Sequence, residues 1–170
     1  YNESIAVSGS HGKTTTTSLI SSVLESANFD PTTIIGGIVN QYKSTTRIGK
    51  SKWMVVEADE SDGSLSNFFP KIGVITNINK EHMDFYQSYN KLQNNFYQFI
   101  KNIPFDGLAV LCKDNLGVKK LIKKITNRNF ITYGFFKDSD LRALNVSFNK
   151  TSSCFDVEIK QNFLFKKEII

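Results

Sequence analysis

The sequence predicts an α/β fold, with a mostly parallel sheet flanked by helices and a P-loop-type nucleotide site. Three observations support this prediction: short apolar runs that end in polar loops, helical stripes between these runs, and a glycine turn after the first run. Continuous apolar runs are typical of strands that are buried on both faces, as in parallel sheets. After Ser139 the residues alternate instead, which predicts a small antiparallel ribbon near the C-terminus.

The predicted strands of the parallel sheet are apolar runs bounded by glycines, prolines or acids. They cover residues 4–7, 33–35, 53–56, 72–76, 108–112 and 130–133. In the ribbon, residues 146–148 and 154–159 alternate, and Gln161-Asn162 predicts a turn into residues 163–165.

Three helices are predicted from apolar residues at helical spacing. One covers residues 88–103, and another is expected to be capped by Asp114. The capped helix has inward positions at Val118, Leu121, Ile122 and Ile125. The opening helix has its predicted inward stripe at Leu19, Ile20, Val23, Leu24 and Ala27.

Length and composition indicate an ordinary globular domain. The chain has 170 residues, of which 40% are hydrophobic and 22% are charged. Its net charge of +5 comes from scattered lysines, so we expect no nucleic-acid partner, and no apolar run approaches the roughly 18 residues of a membrane span. Cys112 and Cys154 form no metal-ligand spacing and no disulfide framework. We expect both to be buried and reduced, which fits a cytoplasmic location.

The strongest motif is Gly9-Ser10-His11-Gly12-Lys13-Thr14, between the first strand and the first helix. Such a turn lets backbone N–H groups surround phosphate oxygens, and the helix N-terminus adds its positive dipole. Lys13 is suited to hold phosphate charge, and the Thr14 hydroxyl is suited to bind Mg²⁺. A strict P-loop has glycine five residues before Gly12, where this chain has Val7, so the motif is a shortened variant.

An acidic loop, Glu57-Ala58-Asp59-Glu60-Ser61-Asp62-Gly63, follows the strand at residues 53–56. Ligands of α/β proteins bind at the carboxyl ends of strands, so Glu57 is expected to reach a phosphate-bound metal. For Glu60 and Asp59 the favoured interpretation is a solvated loop.

A third loop, residues 77–84, follows the strand at 72–76 and contains Asn77 and His82. The chain has only two histidines, His11 and His82, and both lie in loops that follow strands. An isolated histidine is usually structural, but the position of His82 favours a functional role, whereas His11 is expected to shape its loop. The three loops together predict a Mg²⁺–nucleotide site.

Four motifs resemble those of the Mur ligases. They are Gly9-Ser-His-Gly-Lys-Thr-Thr-Thr, Gly36-Gly-Ile-Val-Asn40, Glu57-Ala-Asp-Glu-Ser-Asp-Gly-Ser64 and Thr76-Asn-Ile-Asn-Lys-Glu-His-Met-Asp84. The resemblance runs from the start to about Gly134 and is weak in the ribbon. It implies the central ATPase domain over residues 1–170, cut at both ends, without the family's UDP-sugar and C-terminal domains.

The resemblance also implies a reaction: ATP-driven amide formation through an acyl phosphate, in peptidoglycan precursor synthesis. The acidic motif favours the member that joins L-alanine to UDP-N-acetylmuramate. The implied catalytic residues are Lys13, Glu57 and His82, with Thr14, Glu57 and His82 as Mg²⁺ ligands. The implied ATP-binding residues are Gly9, Ser10, His11, Gly12, Lys13, Thr14, Thr15 and Asn77.

Three alternatives remain at this point. One is the relative that attaches a recycled murein tripeptide to the same sugar. Another is a P-loop NTPase or kinase that needs no muramoyl substrate. In the third, residues 1–170 alone fold and bind phosphate weakly but catalyse nothing.

Overall fold

The computed structural model describes residues 3–39 and 44–160, without the side chains of residues 37–39. The helices are α1 (Lys13–Ser26), α2 (Met83–Tyr86), α3 (Tyr89–Lys101) and α4 (Leu116–Ile122), with a 3₁₀ turn at Ser64–Asn67. The strands are β1 (Glu3–Ser8), β2 (Thr32–Val39), β3 (Ser44–Arg47), β4 (Trp53–Glu57), β5 (Ile72–Ile75), β6 (Leu108–Cys112), β7 (Phe130–Gly134), β8 (Leu141–Phe148) and β9 (Ser153–Ile159).

Within the described ranges the strands form one nine-stranded sheet in the order β3-β2-β4-β1-β5-β6-β7-β8-β9. Neighbours from β2 to β8 pair in parallel, while β3 and β9 pair antiparallel with β2 and β8. The predicted mostly parallel sheet is therefore confirmed.

The predicted antiparallel ribbon is confirmed as the β8–β9 hairpin. Its turn is closed where the N–H of Asn149 donates to the carbonyl of Ser152 at 2.8 Å. The ribbon strand predicted for residues 163–165, its turn at Gln161-Asn162, and Asn40 of the second motif lie outside the described residues.

The core lies on both faces of the sheet, because successive residues of a strand point in opposite directions. On one face, Ile5 and Val7 pack with Val55 and with Ile20 and Leu24 of α1. The larger cluster on the other face includes side chains from α3 and α4. Each buried strand thus serves both layers, which explains the continuous apolar runs.

The predicted stripe of α1 is only half correct. Ile20 and Leu24 pack against the core, but Leu19 and Val23 are exposed by 62% and 67%. Thr17 and Ser21 are buried in their place. The Thr17 hydroxyl donates to the carbonyl of Lys13, and that of Ser21 shares a hydrogen bond with Thr33. Because these small side chains satisfy their own polar atoms, α1 can turn them towards the sheet.

Ala27, also predicted inward, is exposed. It follows the last turn of α1 as the C-cap residue. The helix therefore ends before Ala27 could face the sheet.

The helix predicted at residues 88–103 is confirmed as α3, with the Ser88 hydroxyl accepting the N–H of Lys91. The cap predicted for α4 is wrong, because Asn115 accepts the N–H of Val118. Asp114 instead accepts the N–H of Phe135 at 3.0 Å. This bond connects the end of β6 to the loop after β7.

The cysteines also differ from expectation. Cys154 is exposed and Cys112 is half-buried, although both are free thiols. Cys154 lies on β9, whose residues are all exposed, so strand alternation there does not bury one face. No helix in the described ranges has both the length and the apolar character needed to cross a membrane.

Candidate active site

The site lies at the carboxyl edge of three adjacent strands, β4, β1 and β5. The glycine-rich turn (residues 9–12) follows β1, the acidic loop (residues 57–63) begins at the last residue of β4, and the histidine loop (residues 76–82) follows β5. Because parallel strands end at the same edge, the sheet brings together three segments that are distant in sequence.

The glycine-rich turn has a backbone that requires glycine at two positions. Gly9 has φ 142° and Gly12 has φ 79°. A Cβ atom on Gly9 would lie 2.1 Å from Oγ1 of Thr76, so the space is needed as well as the dihedral angle. Gly12 is the N-cap residue of α1 and provides no capping side chain. The first-turn N–H groups, through Thr15, thus have no acceptor within the helix and are suited to bind an anion.

Asn77 holds the turn through the backbone of His11. Its side-chain oxygen accepts the His11 N–H and its side-chain nitrogen donates to the His11 carbonyl, both at 2.9 Å. The Thr76 hydroxyl donates to the same carbonyl at 2.8 Å. The Ser10 N–H donates to the Asn77 carbonyl, and the Ser10 hydroxyl accepts the N–H of Asn79. The turn is therefore fixed to the histidine loop before any ligand binds.

Lys13 points from the first turn of α1 towards the acidic loop. Its ammonium group donates to Oε2 of Glu60 at 2.8 Å and to the carbonyl of Gly9 at 2.9 Å. Asp59 is a more distant partner at 3.4 Å, and its side chain is 58% exposed. Burial opposes the charge of Lys13, but the hydrogen bond and negative charge of Glu60, supported by Asp59, raise the pKa of this lysine.

Thr14 and Glu57 form the second contact between α1 and the end of β4. The Thr14 hydroxyl lies 3.0 and 3.2 Å from the two Glu57 oxygens. One of these oxygens also accepts the N–H of Gly36 at 2.9 Å. A hydroxyl and a carboxylate are hard oxygen ligands of the kind that Mg²⁺ prefers, so this pair fits the predicted metal role.

His82 belongs to a different group of side chains. Its Nε2 lies 3.6 Å from Oε1 of Glu60, and ligand atoms of Glu60, Glu81 and His82 lie within 4.8 Å of one another. Nε2 of His11 lies 2.8 Å from Glu81. His82 also has φ 54°, an uncommon value for a residue other than glycine, and it is the N-cap residue that precedes α2. The donor set of this group also suits a divalent cation.

The solvated position expected for Glu60 is wrong. Glu60 is fully buried, whereas Asp59 is exposed as expected. Burial raises the pKa of Glu60, although the hydrogen bond and charge of Lys13 act in the opposite direction. Past the end of β4, Ala58 and Glu60 are buried, whereas Asp59 between them is exposed. No local pattern distinguished Glu60, because its contacts are with Lys13 and Tyr86, which are distant in sequence.

The fold and the turn define an α/β domain with a P-loop-type connection between its first strand and first helix. A family model described as the Mur ligase middle domain matches residues 7–169. The chain belongs to this family, and the match extends through the ribbon, where the motif resemblance is weak.

Individual relatives are similar over most of this chain. A protein from Hyphomonas neptunium named UDP-N-acetylmuramate--L-alanine ligase is 48% identical over 157 residues, which are 92% of this chain and 33% of that protein. The chain thus spans about a third of the length of the curated relatives it matches.

Two solved structures share the fold. UDP-N-acetylmuramate-alanine ligase MurC from Thermotoga maritima has a TM-score of 0.79 and 28% identity, covering 93% of this chain and 34% of that one. The UDP-N-acetylmuramate:L-alanyl-gamma-D-glutamyl-meso-diaminopimelate ligase from Neisseria meningitides has a TM-score of 0.80, covering 93% of this chain and 52% of that one. Its identity of 24% supports a shared fold alone.

Proposed function

We propose that the chain is the ATP-binding middle domain of a longer ligase that joins L-alanine to UDP-N-acetylmuramate. The observation that carries this proposal is the 48% identity, across 92% of the chain, to a protein named for that reaction. The geometry of the glycine-rich turn, with Lys13 and Thr14 beside it, supports a nucleotide as the phosphate donor. On its own, the domain is expected to be inactive, because the sugar and amino acid would be bound elsewhere.

The proposed reaction has two steps. A carboxylate oxygen of the muramoyl group attacks the γ-phosphorus of ATP, and the bond from that phosphorus to the bridging oxygen of ADP breaks. The amine of alanine then attacks the acyl carbon, loses a proton, and displaces inorganic phosphate. Both steps move negative charge, so positioning and charge neutralisation are the main tasks of the protein.

The residues of the site have matching roles in this proposal. The N–H groups from Gly12 to Thr15, at the start of α1, hold phosphate oxygens, while Lys13 neutralises charge on the transferred group. Gly9, Ser10, His11 and Asn77 keep the turn in shape through the contacts described above.

Two cation positions are proposed, one at Thr14 and Glu57 and one at His82. Mg²⁺ would supply neutralisation of the β- and γ-phosphate charge when bound. A hydroxyl, a carboxylate and an imidazole beside the buried oxygen of Glu60 are chemically suited to this role. A cytoplasmic location for the enzyme stays a prediction.

Phosphate release by the full-length protein tests the proposal. The protein is incubated with Mg–ATP and UDP-N-acetylmuramate, with L-alanine or the murein tripeptide as the acceptor. Release that requires both the sugar and alanine supports the proposed ligase. Release only with the tripeptide would assign the recycling reaction, and release without the sugar would indicate a plain NTPase or kinase. Isolated residues 1–170 serve as the control that is expected to be inactive.

A further inference from the structure

Glu60 has a position that the proposed reaction does not by itself explain. Its carboxylate is fully buried between two functional side chains, with Oε2 at 2.8 Å from Nζ of Lys13 and Oε1 at 3.6 Å from Nε2 of His82. Among the described residues, Oε1 accepts no hydrogen bond. One oxygen is thus used by Lys13, and the other faces the side of the site where His82 lies.

The backbone of Glu60 is held separately from its side chain. The Tyr86 hydroxyl donates to the Glu60 carbonyl, and Asn95 donates to the same hydroxyl oxygen at 2.5 Å. Tyr86 and Asn95 are both buried, in α2 and α3. The N–H of Gly63 also donates to this carbonyl, at 3.3 Å. These contacts anchor the acidic loop to the helical layer and fix the direction from which Glu60 approaches Lys13.

Burial of the Glu60 carboxylate is energetically unfavourable by itself. Removing a carboxylate from water is costly unless a good partner compensates, and an apolar residue often fills such a place at no loss of stability. A free lysine side chain has many rotamers, and this conformational entropy is lost when a ligand must order the side chain. Glu60 orders Lys13 in advance, together with the carbonyl of Gly9. Asp59 is a weaker partner because it is exposed and more distant.

We propose that Glu60 is a positioning residue that holds the ammonium group of Lys13 ready for the phosphates of the nucleotide. This inference rests on the proposed function, because it assigns Lys13 to phosphate binding. In this proposal Glu60 acts through its contact with Lys13 and needs no contact of its own with the nucleotide.

The test uses the full-length protein with Glu60→Ala and Glu60→Gln, and with Asp59→Ala as the comparison. Asp59→Ala removes the same charge beside the same lysine, but from an exposed position. The measured quantities are the Kd of a non-hydrolysable ATP analogue in the presence of Mg²⁺, by calorimetry, and kcat and KM for each substrate. Thermal unfolding of each variant is recorded in parallel.

We expect Glu60→Ala to raise the Kd of the analogue and to lower kcat/KM for ATP by about tenfold or more, as for loss of a charged hydrogen bond. KM for alanine should stay unchanged. Glu60→Gln keeps an oxygen that can accept from Lys13, so it should recover most of the loss. Asp59→Ala should change the same quantities by about threefold or less, the scale of an exposed pair.

Two results would overturn the proposal. One is an analogue affinity for Glu60→Ala equal to that of the unchanged protein. The other is a similar loss of kcat/KM for every substrate, together with a lower unfolding temperature and no rescue by Glu60→Gln. That result would make the role of Glu60 merely structural. If Glu60→Ala does not fold, Tyr86→Phe removes the hydroxyl that holds the Glu60 carbonyl and should weaken analogue binding alone.

The unchanged protein separates this inference from the proposed function. If it releases phosphate without sugar or alanine, the proposed function fails. The measurement of analogue binding still decides the role of Glu60, because it requires neither the sugar nor alanine.

Discussion

The Thr14 hydroxyl lies within hydrogen-bond distance of both carboxylate oxygens of Glu57, and one of these oxygens also accepts the N–H of Gly36. Three elements, α1, β4 and β2, are thereby connected at a single carboxylate. Because the carboxylate already has two donors, its orientation does not depend on a bound cation. A divalent ion that binds there would find the Thr14 hydroxyl and the Glu57 carboxylate already oriented.

Glu57→Gln should therefore change the requirement for Mg²⁺. Loss of a charged ligand should raise the Mg²⁺ concentration for half-maximal phosphate release by about tenfold or more, since even outer contacts of a metal site have effects of this size. The measurement is a titration of Mg²⁺ at fixed ATP in the full-length protein. Thr14→Ser keeps the hydroxyl and is the matched control, expected to titrate normally. An unaltered Mg²⁺ titration for Glu57→Gln would contradict the assigned role.

Lys13→Ala should remove most ATP turnover while the protein stays folded. Loss of one preorganised charge-stabilising group typically costs about 10² to 10³ in kcat. Phosphate release and circular dichroism of the full-length protein check the two parts of this prediction. Lys52→Ala is the control, because Lys52 is 67% exposed and lies 3.5 Å from Glu3 at the opposite end of β1. Near-normal turnover in Lys13→Ala would refute the assignment of this lysine.

The free energy of unfolding should also depend on the ion pair between Lys13 and Glu60. Lys13→Met leaves the carboxylate of Glu60 buried without its cation, at a cost of about 3 kcal/mol. Adding Glu60→Gln should restore part of this loss, because a neutral amide is less costly to bury. Thermal unfolding of the four proteins gives the comparison. Strictly additive effects of the two substitutions would show that the contact contributes nothing.

The two glycines of the glycine-rich turn should differ in their tolerance of alanine. At Gly12 a Cβ atom meets nothing within 4 Å, so Gly12→Ala should cost only the backbone conformation, about 1–2 kcal/mol. Gly9→Ala adds a clash with Thr76 and the backbone of Asn77, so it should lower the unfolding temperature further. Equal unfolding temperatures for the two variants would contradict this ranking.

Asp30 should make stability depend on pH. Arg47 donates to it at 2.6 Å and the N–H of Lys50 donates at 2.9 Å, and these bonds hold the pKa of Asp30 below its usual 3.8. Because the folded pKa is the lower one, this contribution is present above pH 3.8 and is lost as the pH falls through the folded value.

Asp30→Asn should therefore unfold at a lower temperature than the unchanged protein at pH 7, and the difference should shrink in acid. Unfolding temperatures recorded from pH 7 to about pH 3 check this prediction. Asp84→Asn, at an exposed position in α2, removes the same charge as a control. A difference that stays constant with pH would argue against the ion pair with Arg47.

The sequence predicted the sheet and the three loops well, because both depend on local patterns. Apolar runs followed by glycine or acids marked the buried strands, and parallel strands place their following loops at one edge. It was less successful with α1, where apolarity favoured Leu19 and Val23 over the buried Thr17 and Ser21. Burial there depends on hydrogen bonds to the helix backbone and to Thr33, which no hydropathy pattern reports.

Within the site, the sequence could not rank the acids of the loop after β4. The position of Glu57 directly at the end of the strand favours a functional role. Four carboxylates in six residues favour a solvated loop, and this pattern predicts an exposed Glu60. Its burial depends on Lys13, 47 residues earlier, and on Tyr86, 26 residues later. Such tertiary contacts decide which acid turns inward.

The three-loop construction of the site also has a consequence for the lifetime of the protein. Thr76 and His11 are 65 residues apart, so their contact exists only after the central strands have paired. The unfolded chain lacks this site. A nucleotide that binds the folded site would therefore stabilise the native state alone. At a hundred times its Kd, a ligand of this kind adds about 2.7 kcal/mol to the free energy of unfolding. Nucleotide supply would then help to set how long the protein escapes proteolysis.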